Sequence, residues 1–298
     1  MIILLTLLAL FAFAANSILC RIALGLQYID PAGFTVIRLL SGSIALYVIF
    51  IIHQYRKNTI NNRDNKRVDT SKGSWLGSIL LFIYALSFSY AYGYLDTGTG
   101  ALILFGSVQI SMIIYAVITK HKLLKIEWLG LSIACAGFVY LIYPDLTTPS
   151  LVGFILMMVS GIAWAGYTLM GKQSTSPLMD TCYNFFRTIP YVLILTLFTL
   201  STTEYSYDGI LLAMLSGVVM SAIGYAIWYR ALNDLTTTKA AVLQLLVPVI
   251  ATIGGVIFMD EAMTLRLQLS TVTVLGGIAL VLVGKQLLTF NFIGKSKF

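Results

Sequence analysis

Charge is scarce in this chain. Asp, Glu, Lys and Arg make up 10% of its 298 residues and the mean hydropathy is +0.89, whereas soluble domains carry about a quarter charged residues. An ordinary water-soluble domain is therefore excluded. Cysteine is sparse too: Cys20, Cys135 and Cys182 each lie within or at the end of an apolar run, with no CxxC pairing. Neither a disulfide framework nor a thiolate metal site is expected. His53 and His121 stand apart from any acidic cluster, and HExxH, GxSxG, a Walker loop and a paired-glycine nucleotide fingerprint are all missing. No enzyme, cofactor or metal is predicted. Acids are absent from the apolar runs themselves, since all twelve Asp and Glu residues map to predicted loops or helix ends.

What remains is a succession of long apolar runs. A span needs roughly 20 mostly apolar residues, because the hydrocarbon core is about 30 Å thick and a helix rises 1.5 Å per residue. Ten helices are predicted, at 2–24, 31–53, 73–95, 98–119, 126–143, 150–171, 179–201, 208–231, 238–258 and 266–287. Ala12-Phe13-Ala14 resembles a cleavage site, but Met1 to Leu5 carries no Lys or Arg and many spans follow, so helix 1 is expected to be retained. The connections are short except 54–72, which is rich in Asn, Lys and Arg and is expected to be a solvated loop. If the N-terminus is cytoplasmic, fifteen of the nineteen basic residues fall on the cytoplasmic side, which predicts both termini inside. Topology thus accounts for the net charge of +7 without a nucleic-acid partner.

The chain also resembles itself. At an offset of 139 positions Tyr229, Thr236, Ala240, Leu243 and Val247 fall on Tyr90, Thr97, Ala101, Leu104 and Val108. Gly276 and Leu280 fall on Gly137 and Leu141. Self-similarity near half the length of a membrane chain is the usual trace of a transporter built by duplication. Five helices per copy is an odd number, so the copies cross the membrane in opposite senses and equivalent loops face opposite compartments. The basic Lys120-His121-Lys122 after helix 4 and the acidic Asp260-Glu261 after helix 9 fit that inversion. The expected fold is all-α, ten transmembrane helices as two inverted five-helix repeats. The repeats are placed at 1–145 and 146–287, with a tail at 288–298.

The pattern Tyr229-x-Ala231-Leu232, Thr236, Ala240-Ala241, Pro248, Asp260-Glu261 and Gly276-Gly277, echoed in the first half, with Arg38 answered by Arg187, resembles the drug/metabolite transporter superfamily, in particular its EamA-like ten-helix members. The likeness covers nearly the whole chain. It implies a central cavity enclosed by helices 1 to 4 and 6 to 9, with helices 5 and 10 peripheral. Small multidrug-resistance relatives carry a glutamate in helix 1 for proton exchange; here that helix has Asn16 and no acid, which disfavours that mechanism. Gln109 stands where the repeat leads one to expect a second proline, so helix 9 is expected to kink at Pro248 and helix 4 to run straighter.

Two arginines lie inside predicted spans, Arg38 about seven residues into helix 2, roughly 10 Å from its end, and Arg187 at similar depth in helix 7. Such a residue costs at least about 2.5 to 3.5 kcal/mol on insertion and is expected to face a cavity or a partner. Its fork suits a carboxylate or phosphate; the alternative is capping of helix carbonyls or snorkelling outward. Tyr84, Trp164, Tyr167, Tyr183 and Tyr225 are candidates to pack an apolar part of a substrate, against an alternative as interfacial belt residues. Asn16, Gln109 and Gln244 are candidates for polar contact, against interhelical hydrogen bonding. The resulting expectation is a plasma-membrane carrier, monomer or homodimer, exporting or exchanging small carboxylate-bearing or zwitterionic metabolites by alternating access. The alternatives are a carrier of larger nucleotide-like or sulfonium metabolites and a non-transporting scaffold or lipid-handling protein.

Overall fold

The computed structural model describes residues 2–60, 72–119, 124–143, 149–172, 174, 176–199, 205–232, 235 and 237–295. The knot at 120–122, Thr236, residues 61–71 of the long connector and 296–298 of the tail lie outside them. The described residues are helical throughout, apart from connectors and one isolated antiparallel bridge between Ile29 and Tyr205. In order they form α1 (Ile2–Gly25), α2 (Pro31–Ile60), α3 (Trp75–Tyr92), α4 (Thr97–Ile118), α5 (Lys125–Ile142), α6 (Leu151–Lys172) and α7 (Pro177–Thr199). There follow α8 (Tyr207–Leu215), a π-helical segment (Ser216–Ile223), α9 (Gly224–Leu232), α10 (Thr237–Gln244), α11 (Leu246–Met259) and α12 (Leu265–Lys295).

Among the described residues nine helical stretches are long and apolar enough to cross a membrane. The remaining long helix, α7, has 23 residues, and its hydropathy is lowered by Asp180, Asn184 and Arg187. Large apolar side chains face outward along the bundle, among them Ile3 (77% exposed), Ile118 (73%) and Phe198 (84%). Only a hydrocarbon solvent makes such a surface tolerable. This is an all-α integral membrane protein.

Two helices outrun expectation. α2 continues to Ile60 instead of stopping at 53, and α12 to Lys295 instead of 287. The reason is that a helix does not end where its apolar stretch ends: Gln54, Arg56 and Lys57 are good helix formers in the α2 extension, and neither extension contains a proline to break the backbone ladder. The eighth span is continuous but wound in three parts, with the π-helical segment between α8 and α9. The ninth is interrupted. Pro248 has no N–H to give the Gln244 carbonyl, and its ring crowds that oxygen. α10 ends at Gln244, Leu245 N bonds back to Val242 O at 3.1 Å, and α11 starts at Leu246. α4, with Gln109 at the corresponding position, runs unbroken.

Because lipid is as apolar as leucine, helices associate in a bilayer through close backbone approach and hydrogen bonds. α5 and α12 lie against each other through Gly130 and Gly277: a Cβ at 130 would stand 2.6 Å from the Gly277 carbonyl oxygen, and one at 277 would stand 2.5 Å from that of Gly130 and 2.6 Å from Ala134 N. No side chain fits there without separating the helices. Gly277→Leu is therefore expected to destabilise the bundle by about 1 to 3 kcal/mol, seen as a lower unfolding temperature in detergent; an unchanged temperature would show that this helix pair moves apart freely.

Candidate functional site

Near the middle of the bundle one cavity is lined from five spans. α1 contributes Phe13, Asn16 and Ser17, α3 Tyr84 and Phe88, α4 Leu104 and Phe105, α6 Trp164, and the eighth span Met220, Ser221 and Tyr225. The spacings of three and four residues within α1, α3 and the Ser221–Tyr225 pair are those of one helix face. The space is narrow, with clear room for about one or two water molecules.

Arg38 stands behind this lining and is its nearest charge. It projects from α2, is 2% exposed, and donates from Nη2 to the Tyr84 hydroxyl (3.0 Å) and from Nε to the Ser221 hydroxyl (3.3 Å). Its guanidinium carbon lies 5.0 Å from the Phe88 ring centre and 5.2 Å from that of Tyr84. Cation–π attraction and two neutral acceptors thus hold a full positive charge. Nη1 is buried and has no hydrogen-bond partner. Gln109 Nε2, a turn further along α4 from Phe105, is likewise buried without a partner, while Ser17, which lines the cavity, pairs with the Tyr92 side chain.

The π-helical winding explains how the eighth span serves both α1 and α2. In an α-helix Ser216 and Ser221 would point roughly 140° apart; hydrogen bonding from i to i+5 brings them towards one face. Ser216 Oγ donates to Asn16 Oδ1 (2.6 Å) while Ser221 accepts from Arg38. Gly217 sits between them, where a Cβ would collide with the Arg38 carbonyl oxygen and the Ser41 hydroxyl.

The aromatic side chains form one connected group. The Trp164 ring lies 4.7 Å from Tyr84, 5.2 Å from Tyr225 and 5.6 Å from Tyr167, all tilted by 33° to 42°. Phe13 continues the group from Tyr225 (5.9 Å) to Trp228 (5.7 Å). Tyr167 donates to Thr181 Oγ1 at 3.1 Å and is buried behind Trp164. Among the described residues no carboxylate lines the cavity. Asp30, Asp96, Glu127, Asp180, Asp208, Asp260 and Glu261 all sit in connectors or first helical turns.

Of the residues singled out from sequence, Asn16, Tyr84, Trp164 and Tyr225 line the cavity, and Arg38 and Tyr167 stand directly behind it. Tyr183, Arg187, Gln244 and Pro248 are not part of its wall. Arg187 Nη1 donates to the Lys72 carbonyl (2.5 Å), with its guanidinium 5.5 Å from the Trp75 ring centre. Around it Asp180 accepts from Gly73 N (2.7 Å) and Asn184 from Ser74 N (2.8 Å), so this turn of α7 clamps the approach to α3. Gly73 has φ +63°, and a side chain there would strike Asn184. Arg187→Ala is expected to leave transport within about twofold and to cost about 1 kcal/mol of stability, checked by paired efflux and thermal-unfolding measurements. Phe13, Ser17, Phe88, Phe105, Met220 and Ser221 were not anticipated. The aromatic and apolar ones look like any lipid-facing residue, and Ser17 is marked only by its neighbour Asn16.

A model of the EamA-like transporter family matches twice, over residues 1–143 and 151–283. The chain belongs to the EamA-like transporter family. Among its relatives this EamA-like transporter is 40% identical to an uncharacterized protein of Pseudomonas aeruginosa, over 94% of each chain. It is 19% identical to an uncharacterized transporter of Bacillus subtilis, over 85% of this chain and 88% of the other. It is 25% identical to a probable amino-acid metabolite efflux pump of Escherichia coli, over 67% and 75%. A solved crystal structure shares the fold, with a TM-score of 0.57 at 15% identity over 92% of this chain and 94% of that one. Family and relatives identify a membrane transporter, not an enzyme.

One end of the EamA-like bundle is tied by charge. Arg21, near the end of α1, donates from Nε to Glu261 (2.9 Å), from Nη2 to Asp96 (3.1 Å) and from Nη1 to the Tyr92 carbonyl (3.1 Å). Glu261 also accepts from Thr97 N at 2.8 and 3.0 Å and from Thr97 Oγ1 at 3.2 Å, so one carboxylate caps α4 and holds α1. Asp260, in the left-handed conformation at φ 52°, turns the chain so that Glu261 points inward. At the same end Tyr28 O accepts from Ser206 N (3.0 Å) and Ser206 Oγ (2.6 Å).

Proposed function

We propose that this protein is a secondary carrier that moves small carboxylate-bearing metabolites through the central cavity, with Arg38 receiving the carboxylate. The observation that carries the reading is the buried, unpartnered Nη1 of Arg38 beside a cavity without a carboxylate. A substrate carboxylate supplies the acceptor that this nitrogen lacks, as a charge-assisted bond. In this reading the halves at 1–145 and 146–287 are inverted repeats that rock about the cavity. Both termini face the cytoplasm of a plasma membrane, as the placement of basic residues argues, and the Arg21–Glu261 cluster seals the outer end. The narrow cavity fits a closed state between the two open ones. The direction is export, in keeping with the amino-acid metabolite efflux named for relatives. Among the described residues no acid stands in the cavity wall to carry a proton, which supports facilitation or exchange.

A second reading, a carrier of larger nucleotide-like or sulfonium compounds, draws on Trp164 lying between Tyr84 and Tyr225, where a flat ring could stack. A nucleotide-like body needs the narrow cavity to open much further than a small carboxylate does, which counts against it. Both are tested by efflux from proteoliposomes loaded with amino acids, organic acids and nucleosides and read by mass spectrometry. Selective loss of carboxylates supports the first reading and loss of nucleosides the second. Retention of the whole pool by folded protein removes both.

A further inference from the structure

We infer that the central site selects an aromatic monocarboxylate without an α-ammonium group over the amino acid of the same skeleton; this rests on the carrier reading above. The argument begins with an imbalance of polar groups. Arg38 Nη1 is a buried cationic donor without an acceptor. It calls for a compact anionic head group.

Nothing in the wall answers an ammonium. A zwitterion brings a second charge into a space that already holds the full positive charge of Arg38, and every described carboxylate lies in a connector or a first helical turn. The side-chain oxygen of Asn16 already accepts from Ser216 at 2.6 Å. The other side-chain oxygens of the wall are neutral hydroxyls, of Ser17, Tyr84, Ser221 and Tyr225, and Tyr84 and Ser221 already accept from Arg38. Stripping water from an ammonium without a counter-ion is costly. Cation–π attraction to Trp164 is the smaller effect. The body of the ligand meets the rings of Trp164, Tyr84 and Tyr225 with Phe13 close by, and an aryl group can insert among tilted rings with offset stacking geometry.

The test is ligand binding to the purified full-length chain in lipid nanodiscs, with 3-phenylpropanoate, phenylalanine, 2-phenylethylamine and hexanoate as probes, followed by efflux of the first two from proteoliposomes. The expected result is that 3-phenylpropanoate binds about thirtyfold more tightly than phenylalanine, that hexanoate is weaker than 3-phenylpropanoate, and that 2-phenylethylamine does not bind. The ratio is read on the unaltered protein, so it does not depend on a variant folding. Arg38→Gln should abolish the 3-phenylpropanoate signal. Phenylalanine binding as tightly as 3-phenylpropanoate, with Arg38-dependent efflux, overturns the selectivity and leaves the carboxylate carrier standing. Hexanoate equal to 3-phenylpropanoate overturns the aromatic requirement. Absence of binding and efflux for every carboxylate overturns both.

Discussion

Arg38→Gln is expected to reduce carboxylate efflux by a factor of about ten to a hundred while the protein remains folded. The lower bound follows from losing one hydrogen bond between charged partners, worth about 1.5 to 3 kcal/mol, with a tenfold change for each 1.4 kcal/mol. Folding survives because the substitution also removes a buried charge, whose upkeep depends on two neutral hydroxyls and two aromatic rings. Glutamine can still donate to Tyr84 or Ser221, which limits the number of orphaned hydroxyls. Arg38→Lys keeps the charge and loses the planar fork, and with it the simultaneous contacts to both hydroxyls. It should fall between the wild type and the glutamine variant. Initial efflux rates at equal reconstitution, together with a thermal-unfolding curve, check this. Glutamine and wild-type rates within threefold of each other would remove Arg38 from the site.

Glu261→Ala should have an effect of similar size at the other critical place. The carboxylate serves Arg21 and the first turn of α4 at once, and its removal leaves Arg21, with 19% of its side chain exposed, facing only Asp96 and a carbonyl. Breaking an ion pair that is largely buried costs on the order of 3 kcal/mol. If the cluster is an outer seal, that energy favours the state in which this end opens. Cys20, fully buried one residue before Arg21, then becomes a reporter. With Cys135 and Cys182 replaced by alanine, its reaction with an impermeant maleimide added outside should speed up by about tenfold or more. Asp260→Asn should leave the rate unchanged, since Asp260 is outside the cluster and Asn tolerates the left-handed conformation. A lower unfolding temperature with no gain in Cys20 reactivity would make Glu261 a helix cap without a part in opening.

The two arginines show how far a sequence reading reaches. Residue counting puts Arg38 and Arg187 at matching depths in matching helices, and at that level they are equivalent. Depth along a helix fixes height in the membrane and leaves the direction of the side chain open. Arg38 turns towards Tyr84 and Ser221 in the interior, while Arg187 reaches back to the Lys72 carbonyl. The acidic pair shows the same limit. Asp260 and Glu261 look alike in the chain, yet the left-handed turn at Asp260 sends only Glu261 into the cluster with Arg21 and Thr97.

The membrane character, the helix count and the transporter family were legible in the residues, because a bilayer imposes its thickness on every span and rejects charge from each. So was the presence of polar residues in the apolar runs, which cost energy there and therefore stand out. Their assembly was not. Ser221 reaches Arg38 through a π-helical winding that no local propensity announces, and Phe13, Phe88 and Phe105 join the cavity wall although each would be equally at home in lipid. Azimuth around a helix, the pairing of distant spans and the sharing of one carboxylate between α1 and α4 arise from side-chain contacts across the bundle. Those contacts exist only once the spans have come together.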